Sequence, residues 1–215
     1  MNIPKYFCFI WAKWIKQIIW PVECPVCGRI ASIGCLSCLE SLLSHPVERK
    51  IDGDLTLLSG AYHQDICREL VLRLKYEGWG ELGHIMGRAL ARSISQAIGD
   101  ALVPIPLHRQ SKRPWNQAEL IAQGISQEWN IPVFNMLKWK KDKTTQTSHS
   151  SMERRTMQDD VFHFCGQNKP VYSVILVDDV STTGTTLRRA ASTLRKYAIH
   201  VETAITWSTS LRYLR

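Results

Sequence analysis

The residues best equipped for chemistry lie between Val174 and Thr186: an apolar run closing at Val177, the adjacent acids Asp178 and Asp179, then Val180, Ser181, Thr182, Thr183, Gly184, Thr185 and Thr186. A buried strand that ends in a hydroxyl-rich turn and a helix start presents backbone amides outward, and these favour an anion. Gly184 lets the backbone approach a phosphate closely, while Thr182, Thr183, Thr185 and Thr186 add hydroxyl donors. Asp178 and Asp179, expected at the exposed end of the strand, are placed to accept hydrogen bonds from a vicinal diol one sugar away. A ribose 5-phosphate matches that spacing. The competing reading makes Asp179 a turn cap and the threonines ordinary cap residues. It leaves two acids behind a buried strand without partners, which is costly.

A second group is Cys24-Pro25-Val26-Cys27-Gly28 followed by Cys35-Leu36-Ser37-Cys38. Each Cys-x-x-Cys pair can place two thiolates on one metal, and two pairs close a tetrahedral four-cysteine zinc site with no open position for catalysis. Gly28 suits the turn of such a knuckle. Redox-active thiols are the competing reading. Cys8, Cys67 and Cys165 lack this spacing and read as core or bystander residues.

Cations beside aromatic residues form a third group. Lys112 and Arg113 stand next to Trp115, and Lys138, Lys140, Lys141 and Lys143 surround Trp139. Cations that track phosphates and rings that stack bases are what single-stranded nucleic acid requires. Trp139 reads equally well as a core residue that closes the domain.

The elements that position these groups follow from periodicity. Phe7, Ile10, Trp11, Trp14, Ile15, Ile18 and Ile19 share one helical face, so residues 6–19 read as an amphipathic helix that docks on its own domain, a partner or a membrane surface. Strands are expected at Leu55–Tyr62, Leu102–Ile105, Val171–Val177 and His200–Trp207, and helices at Ile66–Tyr76, Gly80–Ile98, Gln117–Trp129 and Thr185–Tyr197. The polar, basic stretches His108–Asn116 and Lys138–Ser151 read as loops. Strands alternating with helices argue for a doubly wound α/β domain with a mainly parallel sheet. The chain divides into the helix at 1–20, the cysteine module and linker at 21–50, and the α/β domain at 51–215.

The 215 residues allow one full domain and a small appendage, and 45% hydrophobic with 21% charged residues speaks against disorder. A formal net charge of +8 favours anionic partners, namely phosphorylated metabolites, nucleic acid or an acidic membrane surface. An odd count of seven cysteines and no secretory leader point to reduced thiols and the cytoplasm. Lys13 and Lys16 interrupt the apolar N-terminal stretch, so no transmembrane segment is expected.

Val174 to Thr186 resembles the phosphoribosyl diphosphate signature of type I phosphoribosyltransferases, with Ser181 where an aliphatic residue is usual. A zinc knuckle ahead of that signature is the layout of the ComF family. Leu74-Lys75-Tyr76-Glu77-Gly78 resembles a motif of that family's opening helices, and Val103 to Arg109 resembles its proline strand. Arg113-Pro114-Trp115-Asn116-Gln117-Ala118 is similar to its Arg-Gly-Phe-Asn-Gln loop, with Pro114 for glycine and Trp115 for phenylalanine. Gln146, Arg154 and Phe162 resemble a third block, from which His149 and Met157 depart. The resemblance implies that Asp178 and Asp179 contact the ribose hydroxyls and Thr182 to Thr186 the 5-phosphate, with magnesium bridging diphosphate and sugar. Lys75 joins them as a further ligand contact, and Arg109, Lys112 and Arg113 are candidates for stabilising a departing diphosphate. It also implies a cytoplasmic protein of natural transformation that handles single-stranded DNA alongside other competence proteins. The other expectations are a phosphoribosyltransferase of nucleotide or base metabolism with no DNA role, and a non-catalytic ligand-sensing regulator.

Overall fold

The computed structural model describes residues 23–30, 32–140, 161–166 and 169–210. The expected N-terminal helix, Lys141, Lys143, Gln146, His149, Arg154 and Met157 lie outside the described residues.

Five strands form the central sheet in the order β1 (Val47–Asp52), β2 (Leu55–Tyr62), β7 (His200–Thr209), β6 (Ser173–Ser181) and β3 (Ala101–Pro104). Only β1 runs antiparallel; it is the edge strand, and Val133 bridges Leu102 at the opposite edge. Apolar residues successive along β6 alternate between two cores. Ile175 and Val177 pack with α2 (Asp65–Tyr76), α3 (Gly80–Ser93) and α4 (Gln117–Trp129). Val174 and Leu176 pack with α5 (Thr185–Arg195) and with the two-stranded unit β4 (Leu137–Trp139) and β5 (Phe162–Phe164). A parallel sheet covered on both faces has continuous apolar strands, which is why Val174 to Val177 is legible in the sequence.

Local chemistry explains the placement of the helices. Asn116 accepts from the Ala118 amide as N-cap of α4, and its own amide donates to the Ile105 carbonyl at 2.9 Å, tying the helix start to the end of β3. α3 and α4 cross through Gly87 and Gly124: a β-carbon at Gly87 would stand 2.0 Å from the Ile121 carbonyl oxygen.

Three expectations are corrected, and two unanticipated elements appear: α1 (Leu36–Leu42) lies within the stretch read as cysteine module and linker, and β1 spans its end. α3 stops at Ser93, leaving Ile98 93% exposed. Lys138 belongs to β4 instead of a loop, because Leu137 is buried and pairs with Phe164. β6 runs on through Ser181, so both acids are strand residues.

Candidate functional site

At the carboxyl end of β6, residues Asp178, Val180 and Ser181 to Leu187 line a small, open concavity. Gly184, with φ +77, is the residue before α5, and the Arg188 amide closes the first helical turn onto its carbonyl at 2.9 Å. The left-handed backbone is open at little cost only to glycine. Space excludes a side chain too: a β-carbon there would lie 2.5 Å from Ile51 of β1. The hydroxyls of Thr183 and Thr185 meet at 2.8 Å, and Arg188 donates to Thr185 at 3.2 Å. Thr182 and Thr183 are exposed, Thr185 and Thr186 half-buried, and the Ser181 hydroxyl is buried without a partner among the described residues.

The two acids are not equally exposed, as their place in the sequence suggested: Asp178 is half-buried and lines the concavity. Asp179 is only 8% exposed and pairs through Oδ2 with the Lys75 ammonium at 2.8 Å. Asp178 accepts from the Asp179 amide at 2.8 Å. Burial first, and then the neighbouring charge of Asp179, push its carboxyl up to about 8, against the pull of that amide and of Lys75. Lys75 therefore compensates one acid and leaves the other short of positive charge. His63, just after β2, bonds the Ser208 hydroxyl at 2.8 Å, and its imidazole is held below the usual range by burial and by Lys75 and Arg68, with Asp179 opposing.

The loop after β3 borders this edge. Trp115 donates its indole N–H to the Leu74 carbonyl at 3.0 Å and rests on Gly80, so it braces the loop against the end of α2. Arg113 bonds Gln117 at 3.1 Å and lies over the Tyr76 ring; Arg109 and Lys112 are exposed. Of the two readings of Trp139, the domain-closing one fits: its N–H bonds the Pro106 carbonyl at 2.8 Å and its ring packs on buried Phe162. Lys138 is exposed, and the Lys140 amide bonds the Val161 carbonyl at 2.9 Å.

Sequence reasoning passes over Arg49 and His63, and takes in Tyr76 only as part of a motif, with no role of its own. Arg49 reaches from β1 to the Thr182 carbonyl at 2.9 Å, fastening the phosphate loop from the sheet edge. A signal is present, since Val47, Arg49 and Ile51 alternate with the exposed Glu48, Lys50 and Asp52 as a half-buried strand should.

The four cysteines converge as expected. The sulfurs of Cys24, Cys27, Cys35 and Cys38 all lie within 4.8 Å of one another, and those of Cys27 and Cys35 are 3.8 Å apart. Four sulfurs at ~2.3 Å from one zinc would stand about 3.8 Å apart, so the set fits that ion. Gly28, φ +70, makes the first knuckle, where its amide bonds the Cys24 carbonyl at 2.9 Å; Cys35 is the N-cap of α1. Burial opposes ionisation of Cys24, but the amides of Cys27, Cys35 and Val26 bring it down to about 6. Cys38 is driven up to about 12 by its bond with Cys27, by burial and by the charge of the other three thiols. Thiolates crowded in this way call for a dication. α1 buries Leu39 and the adjoining Leu43 in the core shared by α2 and α3, so the module is built into the domain.

A doubly wound sheet carrying this acidic, hydroxyl-rich turn defines a phosphoribosyltransferase-type domain, and the family model for the phosphoribosyl transferase domain matches residues 114–214. Competence protein F of Haemophilus influenzae is 30% identical over 196 residues, which cover 86% of this chain and 83% of that one. With the cysteine module in front of that domain, the chain belongs to the ComF family. Competence protein ComFC of Bacillus subtilis is 28% identical, covering 87% of this chain and 77% of its own. The DNA utilization protein YhgH of Salmonella typhimurium is 26% identical, covering 87% and 83%. No described helix is long and apolar enough to cross a membrane.

Proposed function

We propose that this protein binds phosphoribosyl diphosphate, or a related ribose 5-phosphate, at the loop from Asp178 to Thr186, and acts with single-stranded DNA in natural transformation. The observation that carries the reading is the pairing of a hydroxyl-rich turn with two adjacent acids, Asp178 half-buried in its lining and Asp179 buried against Lys75, at the carboxyl end of β6. The relatives' names, competence protein and DNA utilization protein, support the DNA half.

Within that reading, Asp178 and Asp179 hold the ribose diol, and the loop amides with Thr182, Thr183, Thr185 and Thr186 hold the 5-phosphate. Asp178, short of a counter-charge of its own, fits a magnesium ion, which when bound neutralises the diphosphate. Arg109 and Lys112, exposed on the loop after β3, are free to meet a leaving diphosphate if transfer to an acceptor occurs.

Arg49→Met should weaken phosphoribosyl diphosphate binding by about tenfold, the effect of losing one charged hydrogen bond that fixes the loop. Arg49→Lys should recover part of it, and calorimetry reads both. Unaltered affinity in the Met variant would mean that the loop is held without β1.

The whole reading is tested by titrating the full chain with phosphoribosyl diphosphate and magnesium, and with a labelled oligonucleotide across a salt series. Magnesium-dependent ligand binding and salt-sensitive strand binding are expected, with Arg113→Ala and Lys141→Ala each lowering the salt slope by about 1. Identical slopes and affinities in both variants would remove the cationic contacts, and failure to bind either ligand would end the proposal. Release of diphosphate with one base from a panel would identify the protein as a transferase.

A further inference from the structure

We propose that Tyr76, with the Arg113 guanidinium laid against its ring, is a stacking platform for an unpaired base of single-stranded DNA. The inference rests on the reading that this protein binds such strands, and names the side chain that would grip them.

Tyr76 is the last residue of α2 and is 68% exposed. A lone exposed tyrosine needs no explanation. This one is prepared. The Arg113 Cζ lies 5.4 Å from its ring centroid and Nη2 lies 3.4 Å from its hydroxyl. Arg113 is held there by Gln117, which is 2% exposed and in turn bonds the Trp115 carbonyl at 3.2 Å. A long, rotamer-rich side chain is thus ordered before any ligand arrives, and preorganisation of this kind lowers the entropic cost of binding. Trp115, the aromatic residue that the sequence offers for stacking, spends its N–H on Leu74 and its face on Gly80. Those contacts instead brace the loop that carries Arg113 against the helix end that carries Tyr76.

The platform adjoins the sugar site through the chain itself. Lys75, the preceding residue, turns inward to Asp179, while Tyr76 turns out to solvent. One helix end thereby addresses a buried acid and an open ring in consecutive residues. Exposed Arg109 and Lys112 on the same loop supply charge for flanking phosphates.

A strand suits this geometry better than a free base. One stack on an aromatic side chain changes affinity by about 5- to 150-fold, which by itself holds a free base no tighter than the order of millimolar. A strand adds phosphate contacts on either side, and the openness of the ring leaves room for the backbone to pass.

The test is an oligonucleotide carrying 2-aminopurine, whose emission falls when it stacks, titrated into the full chain. Wild type should quench it. Tyr76→Ala should bind about 5- to 150-fold more weakly with the quench abolished, and Tyr76→Phe should keep both. Against an abasic oligonucleotide, wild type and Tyr76→Ala should bind alike. If wild type binds the strand but Tyr76→Ala matches it in affinity and quench, the platform falls and strand binding stands. If wild type binds no strand, both fall. Loss of adenine binding in Tyr76→Ala with unchanged strand binding would overturn the assignment in favour of an acceptor subsite.

Discussion

Serine at both Cys24 and Cys38 should lower the thermal midpoint of the whole chain by roughly 5–15 °C, in one cooperative transition. A structural zinc contributes about 10–16 kcal/mol to the folding of small metal-binding peptides. Even a quarter of that shifts a chain of this size by the stated amount. The effect should reach the α/β domain because the helix that carries two of the cysteines packs into that domain's core. Leu39 of α1 and Leu43 at its end are 0% and 1% exposed within the cluster that holds Leu70, Leu82 and Met86. Gly60 of β2 leaves just enough room for Leu43, since a β-carbon there would lie 2.7 Å from its Cδ2. Glu40 bonds Arg92, which bonds Glu128, so α1, α3 and α4 are also joined at the surface. Cys35 and Cys38 occupy the start of α1, and releasing the metal frees the helix at that end. Metal analysis of protein purified without chelator should find one zinc per chain, and calorimetric melting reads the transition. A small early transition ahead of an unshifted main one would show a tethered module instead of an integral one.

What is legible without the structure is whatever depends on contiguous residues. The apolar run ahead of Asp178, the glycine at a left-handed turn and the Asn116 cap are local, and each states its conformation in its own sequence. β1 escapes such a reading because Val-Glu-Arg-Lys-Ile-Asp is mostly charged; it is a strand through its antiparallel register with Leu55 to Ser59. α1 escapes it because a helix of seven residues has little period, and its burial comes from α3 and β2. The helix expected to reach Ile98 ends earlier because Ile94, 8% exposed, is extended. The site divides in the same way. The phosphate turn is legible, whereas the inward ion pair of Lys75 and the bracing role of Trp115 join residues far apart in the chain. Spacing alone makes Asp178 and Asp179 equivalent, and the Lys75 ion pair, made by Asp179 alone, makes them different.

That difference gives the largest expected effect on the ligand. Replacing both acids by asparagine should weaken phosphoribosyl diphosphate binding by about a hundredfold or more, the loss of two charged hydrogen bonds. The single variants should separate. Asp179→Asn removes the partner of Lys75, whose side chain is 17% exposed, and breaking such a pair costs about 3–5 kcal/mol of stability. Asp178→Asn should cost little stability, because Asp178 has no cation of its own. Its carboxyl, raised to about 8, holds a proton in the folded protein that the unfolded chain releases near its ordinary value of about 3.9. Between those limits the folded state binds more protons, so this group's contribution to stability falls as pH rises, by up to about 1.4 kcal/mol per unit, and levels off above about 8. Asp178→Asn should remove that slope. Ligand binding should run the other way, since only the ionised carboxyl accepts from the diol and holds magnesium. Affinity should rise by up to about tenfold per unit as pH climbs toward 8, and less steeply in Asp178→Asn. Comparing the two proteins cancels the titration of the diphosphate itself. Denaturant melts and calorimetry at several pH values read both trends. Equal pH slopes in wild type and Asp178→Asn would show that Asp178 does not meet the ligand as a carboxylate. Full-strength binding by a folded double variant would show that the sugar sits elsewhere.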